Sequence, residues 1–199
     1  MVRYTVALSK GELGRDIQDF MRELGSPVEV VGKPTLTQTY GDVTYRVIRP
    51  SDVARLVGDR YDFGITGMDR FVESGSCSNV LREFPFGTGK VVLYGKLGVD
   101  YKSLRSPRFV TADYPNITRR IMTELGYPDS ELSVVSGADE GYVDSGECDL
   151  GVGCTFSGDT LERNNLVVLR EIMDTCGVLI ARSGLTIDDF YKSVRGGMR

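Results

Sequence analysis

The chain has 199 residues, 41% hydrophobic and 26% charged, a balance that fits one large or two small globular domains and excludes disordered, collagen-like or coiled-coil chains. Its 24 basic and 28 acidic side chains leave a net charge of -4, so no overall field favours nucleic acid or an anionic membrane, and any anionic ligand needs a local site. There is no histidine, which removes imidazole acid–base catalysis, histidine-dependent serine or cysteine nucleophiles, and zinc sites that require it.

The first expected element is a strand over Tyr4–Leu8, followed by the Ser9-Lys10-Gly11 loop and a helix. Leu13, Ile17, Phe20, Met21 and Leu24 recur at helical spacing, and Gly25 closes that helix. Residues 35–48 read as a hairpin around Tyr40-Gly41-Asp42, with Val43, Tyr45 and Val47 on the buried face. In Arg49-Pro50-Ser51-Asp52 a Ser or Asp is expected to cap a short helix, and Asp62–Gly67 reads as a strand ending in glycine. Further strands are expected at Lys90–Tyr94, Arg108–Ala112, Leu132–Ser136 and Asp149–Thr155, with a helix over Pro115–Leu125 and a short one near Gly158–Asn164. Two strands between Leu166 and Ala181 and a helix from Thr186 complete the pattern, with Asp188-Asp189 as its acidic first turn. Alternating strands and helices imply an α/β fold with largely parallel pairing. The 95–107 loop is the expected boundary between two lobes, and a cleft between them is the expected ligand site.

No apolar run approaches the ~20 residues of a membrane span. The four cysteines, Cys77, Cys148, Cys154 and Cys176, form no C-x-x-C pair, and no leader is evident, so reduced thiols in the cytoplasm are expected. Chemistry concentrates in residues 148–166. An apolar strand ends at Thr155, and Ser157-Gly158-Asp159-Thr160 then offers hydroxyls and backbone amides at a helix start, an arrangement suited to phosphate. The alternative is a helix merely capped by Ser157 or Asp159. Gly89-Lys90 followed by Val91 is no P-loop, and Gly151-Val152-Gly153 lacks the third glycine of a dinucleotide turn.

Taken in order, Ala7-Leu8-Ser9-Lys10-Gly11, RPSDV from Arg49, DFGITGMD from Asp62, YPNITRR from Tyr114, Gly137 with Glu140, SGDTLERNNL from Ser157 and the Val178–Ala181 strand resemble the ATP phosphoribosyltransferase family. The resemblance is to its short form and spans nearly the whole chain. It implies a periplasmic-binding-protein-like pair of lobes with mostly parallel sheets, 1–92 with 178–199 on the nucleotide side and 93–177 on the phosphoribosyl pyrophosphate side. It further implies attack of adenine N1 of ATP on ribose C1, with pyrophosphate leaving and Mg2+ accompanying it, in the first step of histidine biosynthesis. Thr155, Ser157, Gly158, Asp159 and Thr160 would hold the 5-phosphate, Glu140 and Asp149 would lie near the ribose, and Lys10 would face phosphate charge. Arg49, Asp69 and Tyr114 would form the ATP side, and no residue is assigned to a metal. A homo-oligomer is implied, with feedback through a separate subunit resembling a histidyl-tRNA synthetase.

Each residue also has a plainer role: Lys10 solvated at a helix start, Arg49 paired with Asp52, Asp149 closing a turn, Glu140 stabilising a helix start. Three positions depart from the family pattern. Glu12 stands where the family has Arg after Lys-Gly, Gly153 stands four positions before Ser157 where it has an acid, and near Gly32 only Lys33 offers a basic group. Losing one charged hydrogen bond costs about 1.5–3 kcal/mol, and losing a charge-stabilising donor costs about 10²- to 10³-fold in rate. Asp149 or Glu140 for the ribose, and Arg15 for the pyrophosphate, are the expected substitutes. A paralogous phosphoribosyltransferase using another nitrogen nucleophile, and a noncatalytic nucleotide- or anion-binding module, are the competing readings.

Overall fold

The computed structural model describes residues 4–156 and 158–196, which form eleven strands and seven helices. The chain divides into two units, Met1–Gly87 with Cys176–Arg199, and Thr88–Thr175.

In the first unit, β1 (Tyr4–Ser9), α1 (Gly14–Glu23), β2 (Thr37–Tyr40), β3 (Val43–Ile48), α2 (Pro50–Leu56), β4 (Phe63–Gly67), α3 (Met68–Ser74) and β5 (Asn79–Glu83) follow in order. The chain returns to it with β11 (Gly177–Ala181) and α7 (Ile187–Gly196). The sheet order is β2-β3-β1-β4-β11-β5. β1 pairs in parallel with β3 and β4, whereas the β2–β3 hairpin, β11 and β5 add antiparallel pairs outside this trio. Alternation along β1 sends Val6 and Leu8 to one face with Ile17 and Met21 of α1. Ala7 goes to the other face, with Val53 of α2 and Val57 just past its end. A Cβ added at Gly64 would come within 2.6 Å of both of these valines, so glycine there sets how closely α2 approaches the sheet. Pro50 occupies the first turn of α2 behind Arg49, and neither Ser51 nor Asp52 caps it as expected, because the proline already supplies a residue that needs no amide partner.

The second unit carries β6 (Gly89–Lys96), β7 (Phe109–Thr111), α4 (Pro115–Glu124), β8 (Leu132–Val134), α5 (Asp139–Asp144), β9 (Leu150–Thr155), α6 (Asp159–Arg163) and β10 (Leu166–Thr175). Its sheet order is β10-β6-β9-β7-β8, again with a parallel trio, β8-β7-β9, extended by antiparallel strands. The passage from the first unit falls at 87/88 rather than in the 95–107 loop or at 92/93, because β6 is hydrogen-bonded along its length to β9 and β10. The return falls at 175/176 rather than 177/178, since β11 starts at Gly177 as a partner of β4. The α/β class with two sheets is as the sequence indicates. Each sheet is mixed, with parallel pairing confined to one trio, central in the first sheet and at the β8 edge in the second.

Both units therefore repeat one topology: a first strand, a helix, a neighbour on one side, a second helix, then a neighbour on the other side. That order creates a switch point beyond the carboxyl ends of β1 and of β7, where α/β sheets bind ligands.

Candidate functional site

In the first unit, the carboxyl ends of three adjacent parallel strands bring together Lys10 after β1, Arg49 after β3 and Asp69 after β4. The Lys10 amide donates to the Ile48 carbonyl at 2.9 Å, joining the first two ends, and Gly11 turns the chain with φ 90°. Lys10, Glu12 and Arg15 are all exposed, Arg15 on the first turn of α1. Arg49 is exposed, and Asp52 takes Arg55 as its partner at 3.0 Å instead of Arg49. Asp69 is 6% exposed, folds its carboxylate back over Gly67 and meets Arg70 Nε at 3.3 Å. Lys33 is exposed in the loop between α1 and β2.

In the second unit, the corresponding ends gather Tyr114 after β7, Glu140 after β8, Thr155 as the last residue of β9, and Gly158, Asp159 and Thr160 after it. Ser157 lies outside the described residues. The Gly158 amide donates to Thr155 Oγ1 at 2.9 Å, drawing the chain into a tight loop, and Gly158 takes a left-handed φ of 85° as the residue before α6. Gly158, not Asp159, occupies the capping position, and no side chain caps it. Asp159 and Thr160 are exposed. Tyr114 is 2% exposed, so its ring is packed rather than presented. Its amide donates to Thr111 Oγ1 at 3.1 Å, and that hydroxyl donates to the Val152 carbonyl at 2.7 Å, stitching β7 to β9.

Asp149 does not join this group. It precedes β9, so six positions along the strand, about 20 Å, separate it from Thr155. Its Oδ2 accepts the Arg108 amide at 2.7 Å and lies 3.6 Å from Arg108 Nε, so it ties the amino ends of β7 and β9 together. This is the turn-closing role, and it removes Asp149 as the substitute for an acid at position 153.

Two residues that sequence reasoning passes over lie close to this group, Asp139 at the start of α5 and Tyr94 on β6 opposite Gly151. Asp139 is 8% exposed, and its Oδ2 accepts a hydrogen bond from the Tyr94 hydroxyl at 2.8 Å. Burial raises the Asp139 pKa, and burial together with the neighbouring Asp139 charge raises that of Tyr94. The signal available in the sequence is the glycine alternation at 151 and 153. These positions share one face of β9, and a Cβ at Gly151 would run into the Tyr94 ring.

Among the described residues no cluster of three or more acidic or cysteine side chains is arranged to hold a metal. The four cysteines are free thiols. No described helix is long and apolar enough to cross a membrane.

A sequence model of the family described as "HisG: ATP phosphoribosyltransferase" matches residues 49–195. The chain is 32% identical to an ATP phosphoribosyltransferase of Methanopyrus kandleri, over 96% of this chain and 71% of that protein. Its fold is similar to a chain of the "ATP phosphoribosyl transferase (HisG:HisZ) complex from Thermotoga maritima", with TM-score 0.82, 22% identity and 98% of each chain covered. A histidine kinase sensor domain with similarity to periplasmic binding proteins shares the fold at TM-score 0.59 and 13% identity, over 98% of this chain and 89% of that one.

Proposed function

The chain belongs to the ATP phosphoribosyltransferase family, an enzyme family of histidine biosynthesis, and from that premise we propose how its residues carry the reaction. Adenine N1 of ATP forms a bond to C1 of phosphoribosyl pyrophosphate as the bond from C1 to the pyrophosphate oxygen breaks. Such a displacement needs alignment of two substrates and stabilisation of charge on the leaving group, so a chain without histidine is equipped for it.

The observation that carries this reading is the gathering of the family-matched residues, Asp149 excepted, at the carboxyl ends of the parallel strands in both units. Thr155, Ser157, Gly158, Asp159 and Thr160 hold the 5-phosphate, with amides and hydroxyls donating to its oxygens. Lys10 neutralises the leaving pyrophosphate, and Arg15, one turn beyond Glu12, supplements it. Arg49 and Asp69 serve the ATP side, while Tyr114 holds the start of α4 from within. Glu140 lies on the ribose side.

Magnesium, when bound, neutralises the pyrophosphate. Such an ion keeps most of its water and takes few protein ligands besides phosphate oxygens, so the substrate itself would supply much of its coordination. We further propose a cytoplasmic, short-form enzyme that assembles with itself and with a separate regulatory subunit, by analogy with the Thermotoga HisG:HisZ complex. No observation favours a different nitrogen nucleophile or a noncatalytic module.

The test is incubation of the purified chain with ATP, phosphoribosyl pyrophosphate and Mg2+, with and without a candidate regulatory subunit, following pyrophosphate release and nucleotide mass. A phosphoribosylated ATP is expected. Binding of phosphoribosyl pyrophosphate with no product under either condition would point to another nucleophile.

A further inference from the structure

The second unit buries an acid at its ligand edge that no described cation pairs with. Asp139 opens α5 and forms no ion pair among the described residues; its side chain accepts instead from the neutral Tyr94 hydroxyl. Taking a carboxyl from water without a compensating cation is unfavourable, and such groups persist where a ligand makes use of them. Its pKa is raised chiefly by burial, with Glu140 on the same helix and Asp113 after β7 adding to the rise and the Tyr94 hydrogen bond opposing it. Ala138 before it holds φ at 52°, a left-handed conformation that a residue with a Cβ seldom adopts, and this fixes the point from which Asp139 departs.

The sheet is shaped around this pair. Tyr94 on β6 stands opposite Gly151 on β9, and its ring runs along the face that Gly151 and Gly153 leave free of side chains. A Cβ at Gly153 would lie 3.3 Å from Tyr94 Cε1 and 3.6 Å from Asp139 Oδ2. The carboxyl from α5 thus stands where a short side chain at position 153 would project. Thr155, which shapes the loop to Gly158, is two residues further, about 7 Å along the strand. A carboxyl and a phosphate-holding loop at that spacing suit the two ends of a pentose 5-phosphate, the ring hydroxyls and the phosphate.

We propose that Asp139 is the carboxylate that accepts the ribose hydroxyls of the phosphoribosyl substrate, with Tyr94 as its positioning residue and Gly153 leaving the room it needs. This rests on the phosphoribosyl-transfer reading of the same edge. Neither rival acid is arranged this way, since Asp149 is committed to Arg108 at the opposite end of β9, and Glu140, next to Asp139 on α5, does not share its hydrogen bond to β6.

The test is calorimetric binding of ribose 5-phosphate and 2-deoxyribose 5-phosphate to the full chain, to Asp139→Asn and to Tyr94→Phe. The wild type binds the ribose form about 10- to 100-fold more tightly. Asp139→Asn loses that preference while binding the deoxy form as the wild type does, a ligand-specific change that a purely structural role would not produce. Tyr94→Phe keeps the ring over the glycines and reduces the preference about fivefold, so it carries the test should Asp139→Asn fail to fold. A preference that is absent in the wild type, or unchanged in the variants, overturns the role of Asp139 and leaves phosphoribosyl transfer standing. A wild type that binds neither sugar phosphate overturns the phosphoribosyl reading and this proposal with it.

Discussion

Asp139 is placed for binding at the expense of folding, and the two can be separated by pH. Because burial raises its folded-state pKa, the folded protein favours the protonated acid. Its contribution to stability is therefore fully present below the unfolded carboxyl's ordinary value and is lost as pH rises through the raised one. Asn has nearly the same shape, carries no charge and still offers an oxygen to the Tyr94 hydroxyl, so Asp139→Asn is expected to melt higher than wild type at pH 7.5. The difference should shrink as pH falls and vanish below the ordinary carboxyl range, where the acid is protonated in both folded and unfolded chains. Thermal melts of both proteins across that range measure it, and a variant less stable at every pH would mean that the charged hydrogen bond outweighs burial. None of this is legible in the local sequence. Glu140 stands out there and its neighbour does not, because which of two adjacent acids is buried depends on a tyrosine 45 positions earlier in the chain. The glycines at 151 and 153 are visible, yet by themselves they read as a failed dinucleotide turn, and only the ring lying across them supplies their steric cause.

Elements with strong periodicity are readable and edges are not. The recurrence of Ile17 and Met21 one turn apart puts α1 on the sheet, and the alternation of Val43, Tyr45 and Val47 locates β3 and its buried face. β5 escapes because an edge strand exposed at Asn79, Val80, Arg82 and Glu83 shows no alternation to detect. The cap expected from Ser51 or Asp52 loses to Pro50, while the acidic start of α7 proves to be a reciprocal cap: Thr186 donates to Asp189 Oδ2, and the Asp189 amide donates back to Thr186 Oγ1. The sharpest element-level difference is Asp149. Spacing puts it six positions before Thr155 in a segment rich in site residues, but a strand carries residues that far apart to opposite edges of its sheet. Asp149→Ala should therefore lower stability by about 1 kcal/mol, the value of a half-exposed charged hydrogen bond, through loosening of the β7 and β9 amino ends. Urea denaturation gives that loss. The KM for phosphoribosyl pyrophosphate should stay within about threefold of wild type, and a larger rise would return Asp149 to the ribose.

At the scale of the whole chain, the two units differ in continuity although they share a topology. The first is assembled from both ends of the chain, because β11 must enter between β4 and β5 to complete its sheet. The second is one uninterrupted segment, Thr88–Thr175, and its two ends are paired neighbours, Gly89 opposite Thr175 in the β6–β10 ladder. It also has a core of its own, in which Val92, Val110, Val143, Leu161 and Leu166 pack around the shaft of Tyr94. A segment with adjacent ends and its own core has the anatomy of an inserted domain. A chain of residues 88–175 alone is thus expected to fold, with strand-rich circular dichroism and a cooperative urea transition, whereas the 1–87 segment without β11 is not. Because Tyr94, Asp139, Gly153 and the Thr155–Thr160 loop all lie within it, the isolated segment should keep the ribose over 2-deoxyribose preference of the intact protein. A folded segment without that preference would show that recognition of the sugar requires residues outside 88–175, and the acid on α5 would no longer suffice to explain it.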